Sequence, residues 1–278
     1  MNRKTIGGTI SATGRAVHSG EQTSVSFHPA TAGNGIIFRR VDLPGSPEIP
    51  ARIENVSTDQ LLRRTTLAVN GAVIHTTEHI LSAAYALGIT DIQVNVSGVE
   101  PPIMDGSSAP FAEIIEKAGI VELPEAVEPT VIPRPFAFTS DSTEISVLPS
   151  EHFEVTFFFS SGNPFLRHQR AHFRITPEAY SKEIAPARTF CFFDEIEPLR
   201  AAGLIRGGNL ASAIVFGRKH ILNPPLRFED EPVRHKILDF IGDLALLGKP
   251  VRGHFLVSRG GHQANAAFTM HLRKELGI

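Results

Sequence analysis

Phe228-Glu-Asp-Glu-Pro-Val-Arg-His-Lys-Ile-Leu-Asp-Phe-Ile-Gly-Asp-Leu244 carries the clearest periodicity in the chain. Its acidic start and Pro232 suit a first helical turn, and Gly248 with Pro250 suit a stop, so a helix is predicted over 231–247. Val233, Ile237, Phe240, Ile241, Leu244 and Leu247 recur at helical spacing and make one apolar face. His235, Asp239 and Asp243 follow at i, i+4 and i+8, a polar stripe on a different face. For an isolated His–Asp pair, solvent is the plainer reason for such a stripe. A metal is the sharper reason, because imidazole and carboxylate four residues apart on a helix can chelate one ion.

The totals narrow the class. With 278 residues the chain holds one large domain or two of ordinary size. A hydrophobic content of 42% with 20% charged residues describes a soluble globular protein. The net charge of −2 gives no reason to expect a nucleic-acid surface, although a local basic pocket for a phosphate stays open. The single cysteine, Cys191, rules out an internal disulfide and suits a reducing cytosol. Met1 to Gly8 has no apolar core of a signal peptide, and no apolar run approaches the roughly 20 residues that span a bilayer.

Both halves read as strands first and helices after. Residues 3–53 form short strands, Leu67–Ile74 a hairpin turning at Asn70-Gly71, and Thr76–Gly88 a helix capped by Thr76 or Thr77. A strand at 91–97 and a helix at 111–118 follow. Leu123–Pro133, rich in Pro and acid, is the expected linker. Strands near 129–139, 143–148 and 153–159 come next, with helices at 177–183, 194–202 and 231–247, a strand at 254–258 and a helix at 263–275. This order implies an α+β fold of two layered units, 1–126 and 127–278, without a residue-level repeat.

Four constellations bear chemistry. Glu78-His79 opens the first-half helix; alone it is a dipole-favoured acid beside a surface histidine. Joined with His235 and Asp239 it supplies what a hydrolytic zinc site requires: two His and a carboxylate on the ion, and a further Glu to take a proton from water. His75-Thr-Thr-Glu-His79 also matches the H-x-x-E-H of inverted zinc peptidases, but that needs 75–79 to be one helical turn, and the β-branched run before it places His75 at a strand end. His262, after Gly260-Gly261, is either surface or a general acid held by a carboxylate such as Asp243. Thr189 is either an oxyanion donor or a strand-end hydroxyl, and Cys191 among aromatics reads as filler.

Together Thr77-Glu-His79, Pro102-Ile-Met-Asp-Gly-Ser-Ser-Ala-Pro-Phe111, Ala187-Arg-Thr-Phe190 and the run Leu226–Asp243 resemble the UDP-3-O-acyl-N-acetylglucosamine deacetylases, zinc amidases of lipid A synthesis. Gly14–Gly20, Phe38–Asp42 and Gly261–Asn265 extend the likeness over nearly the whole chain. The resemblance implies two similar layered α/β sandwich domains packed together, with the active site in the cleft between them. It implies His79, His235 and Asp239 as ligands of zinc, with ferrous iron also admissible, Glu78 as general base and His262 as general acid paired with Asp243. Thr189, Phe190 and Lys236 would meet the acylated UDP-N-acetylglucosamine or its oxyanion. The segment 195–215 matches an insert forming an acyl passage, with Ile196, Leu199, Ile205 and Leu210 as lining. A cytoplasmic monomer with no nucleic acid and no membrane segment is expected. Cys191, where relatives often have glycine, and residues 58–66 depart from the pattern and leave local contacts open.

Rival readings come from other classes. A metallopeptidase or other metal amidase shares the ligand chemistry. A non-haem iron oxygenase also uses two His and a carboxylate, but gives no role to Glu78. A nucleotide-sugar binder with a structural zinc would usually present four ligands, of which only three are found.

Overall fold

A computed structural model describes residues 1–164, 166 and 168–278. Strands β1 (Asn2–Ile6), β2 (Ile10–Arg15), β3 (Gln22–Pro29), β4 (Ile36–Arg40) and β5 (Glu48–Pro50) come first. The hairpin β6 (Leu67–Val69) and β7 (Ala72–Ile74), helix α1 (Glu78–Ala86), β8 (Ile92–Val96) and α2 (Ala109–Lys117) follow. β9 (Ile120–Ala126) and β10 (Thr130–Val131) lead to β11 (Phe136–Ser140), β12 (Thr143–Leu148), β13 (Phe153–Ser160) and β14 (His168–Arg174). After α3 (Pro177–Ala179) come β15 (Phe190–Phe192), α4 (Phe193–Ala201), β16 (Ile214–Phe216), α5 (Glu231–Leu244), β17 (Val251–Ser258) and α6 (His262–Leu276).

The two main sheets share one plan. The first runs β2-β3-β8-β4-β5, the second β11-β12-β17-β13-β14. In both, the neighbour pairs are antiparallel, antiparallel, parallel and antiparallel in that order. In both, four strands precede a helix, the central strand and a second helix. The duplication is therefore topological, as the strands-then-helices order implied. Each half also carries an insert between its fourth sheet strand and its central helix: the hairpin β6–β7 in the first, residues 175–230 in the second.

Helices α1 and α5 pack against each other between the sheets, α5 against β13 and α6 against α5. One buried cluster runs from Phe27 and Phe38 of the first sheet to Phe255 of the second. Phe240, Phe255 and Phe268 meet at 5.8–6.1 Å between ring centroids and fill the second half. Because both helices are covered on all sides, 8 of the 9 residues of α1 and 12 of the 14 of α5 are buried. Gly242 permits the close crossing: a Cβ there would run into the carbonyl oxygen of Glu78.

Three expectations need correction. The supposed linker is partly strand, since β9 pairs with β1 and β10 with β17; Pro124 is tolerated because β9 belongs to a two-stranded ribbon. Residues 127–129 join β9, paired with β1, to β10, paired with β17. Strands β14, β15 and β16 went unread. Thr77 takes the N-cap position of α1 without a side-chain capping bond; its hydroxyl donates to the Thr65 carbonyl at 3.4 Å instead.

Candidate active site

The polar stripe of α5 does not face water. His235 is 2% exposed, Asp239 3% and Asp243 0%, which removes the solvent reading. Helix α1, opened by Glu78-His79, brings His79 to the same place. One ligand atom each from His79, His235 and Asp239 lies within 4.8 Å of the others. The imidazoles of His79 and His235 stand edge to face at 5.2 Å between centroids, and His235 Nε2 is 3.3 Å from Asp239 Oδ1.

The protonation states suit a cation. Burial, seconded by His235, drives His79 down to about 3, and burial also lowers His235. Both rings are then neutral and offer a lone pair. His235 Nδ1 donates to the carbonyl of Ala187 at 3.0 Å, which fixes the tautomer with Nε2 free. Burial alone would raise the Asp239 carboxyl, but neighbouring positive charge, led by Lys236, holds it below the usual carboxylate range. Lys236 Nζ donates to Asp239 Oδ2 at 2.8 Å. Two neutral imidazoles and one ionised carboxylate, all buried, fit a divalent ion.

An acid–base pair borders this triad. His262, the first residue of α6, donates from Nδ1 to Asp243 Oδ2 at 2.9 Å, and its Nε2 stands 4.0 Å from Glu78 Oε1. Burial would lower His262, but Asp243, Asp239 and Glu78 outweigh it and raise the ring to about 9. Burial raises Glu78 to about 7, with His262 opposing and Asp243 and Asp239 adding to the rise. Asn265 Nδ2 donates to Asp243 Oδ2 at 2.9 Å.

Thr65 joins the whole set. Its backbone N–H donates to Glu78 Oε2 at 3.0 Å, its hydroxyl donates to Asp243 Oδ1, and the same oxygen lies 3.1 Å from His262 Nδ1. Nothing in the sequence reading singled this residue out. The one signal available was a Thr-Thr pair just before a hairpin, in the segment noted as departing from pattern.

The inverted peptidase reading fails on the backbone. His75 follows directly on β7, its Nδ1 lies 2.9 Å from Thr66 Oγ1, and Thr76 at φ +55° breaks the chain direction before α1 begins. His75 is not a member of the ligand cluster.

The family model described as LpxC, UDP-3-O-acyl N-acetylglycosamine deacetylase, matches residues 3–274. The chain belongs to this deacetylase family. It is 39% identical over 271 residues to a UDP-3-O-acyl-N-acetylglucosamine deacetylase of Geotalea uraniireducens, covering 97% of this chain and 88% of that protein. It is 41% identical over 261 residues to the deacetylase of Thermosynechococcus vestitus, covering 94% and 90%. A bifunctional enzyme LpxC/FabZ of Chlorobaculum tepidum is 37% identical over 303 residues; there the match covers 99% of this chain but 64% of the relative.

In this deacetylase-family chain the cluster lies at the floor of a cavity of about 650 Å³, whose lining includes Thr189, Phe190, Lys236 and all four expected passage residues, Ile196, Leu199, Ile205 and Leu210. Parallel strands β15 and β16 hold Phe190 beside the floor. Its ring meets His235 edge-on at 6.4 Å and Lys236 Nζ lies 5.6 Å from its centroid. The Thr189 backbone is pinned by its N–H to the Gly106 carbonyl at 2.7 Å, and the residue lines the cavity. Cys191 lines the wall, and burial raises its thiol, which disfavours the thiolate that a nucleophile needs. The 58–66 segment touches the site at its end, through Thr65, while Arg63, which lines the cavity, forms an ion pair with Glu195 of α4.

Proposed function

We propose that this chain hydrolyses the N-acetyl group of a UDP-3-O-acyl-N-acetylglucosamine, releasing acetate and the free amine, the committed step of lipid A biosynthesis. The observation that carries the reading is the convergence of His79, His235 and Asp239 within 4.8 Å beside the Glu78–His262 pair. His79, His235 and Asp239 would hold the metal, and both zinc and ferrous iron suit the donors. When bound, such an ion supplies Lewis acidity that polarises an amide carbonyl and acidifies water.

The remaining work falls to side chains. Glu78 Oε2 is occupied by the Thr65 N–H, which leaves Oε1 to take the proton of attacking water. Cationic His262 faces the same space and protonates the departing amine, a necessary gift because amines leave poorly as anions. Asp243 holds the His262 ring and stabilises its charge. The Thr189 hydroxyl and the charge of Lys236 stabilise the developing oxyanion. The insert residues Ile196, Leu199, Ile205 and Leu210 receive the acyl chain along an apolar wall. Residues 1–126 supply the base and one ligand, and 127–278 the remainder. No described helix is long and apolar enough to cross a membrane, and we assign the enzyme to the cytoplasm as a monomer.

The test is acetate release from the acylated UDP-sugar by metal-loaded protein. Acetate released stoichiometrically with free amine supports the reading. Binding of the nucleotide sugar without acetate release, by protein holding one metal ion, would overturn it in favour of a binding protein.

A further inference from the structure

A second cavity, of about 410 Å³, lies between the halves and shares no lining residue with the catalytic cleft. Its walls gather the last turn of α1, the chain just beyond α5, and the adjoining ends of β1, β13 and β14. Two properties define what it can hold. First, six basic side chains line it, Arg3, Lys4, Arg52, Arg174, Lys249 and Arg252, against a single acid, Glu151. In a chain of net charge −2 this is a marked local excess. Arg3 is committed to Asp91 and Lys4 leans toward Glu122, at 3.0 and 4.0 Å. Arg52 donates to the Gly248 carbonyl at 3.4 Å. Arg174, Lys249 and Arg252 have no ion-pair partner among the described residues. A cation beyond a helix end favours the helix dipole, which accounts for Lys249. It does not account for Arg174 and Arg252, which sit on strands.

Second, apart from His152, the remaining wall is largely apolar, with Ile36, Leu87, Ile89, Phe153 and Val251, and its hydroxyls are already used. Tyr85 OH donates to the Lys249 carbonyl at 3.2 Å and accepts from Val251 N at 2.9 Å. The Thr176 hydroxyl accepts from Ala179 N at 3.1 Å, and Thr90 Oγ1 bonds Asp91. Such a wall offers little to a sugar or a base, whose hydroxyl and ring nitrogens need partners. It suits an alkyl chain, and the volume is that of a small-molecule site.

We propose that this rear cavity binds a single-chain anionic amphiphile, its acidic head on Arg174, Lys249 and Arg252 and its chain along the apolar wall. The head is a carboxylate or a phosphate monoester. The catalytic cleft also accepts acyl chains, so the sites must be separated. Calorimetric titration with dodecyl phosphate, dodecanoate and uncharged dodecanol is run on wild-type protein, on Leu199→Arg, which blocks the acyl passage, and on Arg174→Glu/Lys249→Glu. Leu199→Arg is expected to keep one site that prefers either anion to dodecanol by tenfold or more, the tighter anion naming the head group. Arg174→Glu/Lys249→Glu is expected to lose that site while retaining wild-type acetate release, which shows that it is folded. No anion site in Leu199→Arg, equal affinity for dodecanol, or undiminished binding in the charge-reversed variant would each overturn the proposal.

Discussion

The two halves of the molecule are built on one strand order and differ in what each sets on its central helix. Helix α1 contributes Glu78 and His79 in its first turn; α5 contributes His235, Asp239 and Asp243 along its length, and α6 adds His262. On the proposed reading, neither half alone would supply three ligands, nor both an acid and a base. Among the contacts that couple them are a helix crossing tight enough to require Gly242, and Thr65, which reaches from the first half to groups of both. One strand order thus carries different polar residues on its equivalent helices and different inserts before them.

The strongest way to break this comparison is to remove one ligand from each side. His79→Ala and Asp239→Ala are each expected to lose the metal on dialysis and activity with it; a full equivalent retained by either variant would remove that residue from the ligand set, and retention by His79→Ala would confine the metal to the second half. Next come the base and the acid, also from opposite halves. Glu78→Ala and His262→Ala should each lower kcat by on the order of 10²–10⁴ with metal content kept. The double variant should cost far less than the product of the two, as for groups acting on one reacting centre; a fully multiplicative loss would make them independent.

Thr65 sharpens the comparison. Thr65→Val removes the hydroxyl that touches Asp243 and His262 but keeps the N–H on Glu78. A fall in kcat of roughly 10–100-fold is expected, the usual cost of an outer partner, with KM little changed and Thr65→Ser restoring most of it. An unchanged kcat in Thr65→Val would leave the hydroxyl without a positioning role. The smallest effect is structural: Gly242→Ala should destabilise by about 1–3 kcal/mol through overpacking of the α1–α5 crossing, read as a lower urea midpoint. A midpoint within error of wild type would mean that the helices can separate freely.

The elements that build the site were the legible ones. Helix α5 announces itself by a 3.6-residue apolar period with Pro232 at its start, and α1 by Gly88 and its apolar face. The ligand set followed from their polar residues combined with family resemblance, not from spacing alone. What stayed hidden has physical causes. β14 is an edge strand whose residues, His168 to Arg174, are largely polar because one face meets water. β15 and β16 are three residues each, too short for a period. Thr65 was invisible because its partners Asp243 and His262 lie 178 and 197 positions away. The rear cavity was invisible for the same reason, being assembled from segments spread from Arg3 to Arg252.

The most direct measurement is a titration of metal-stripped protein with zinc, following acetate release from the acylated UDP-sugar and bound metal together. Activity is expected to rise from the assay floor and saturate at one equivalent per chain. Acetate release by the stripped protein, or saturation of one tight zinc site without any acetate, would contradict a single metal centre shared by the two halves.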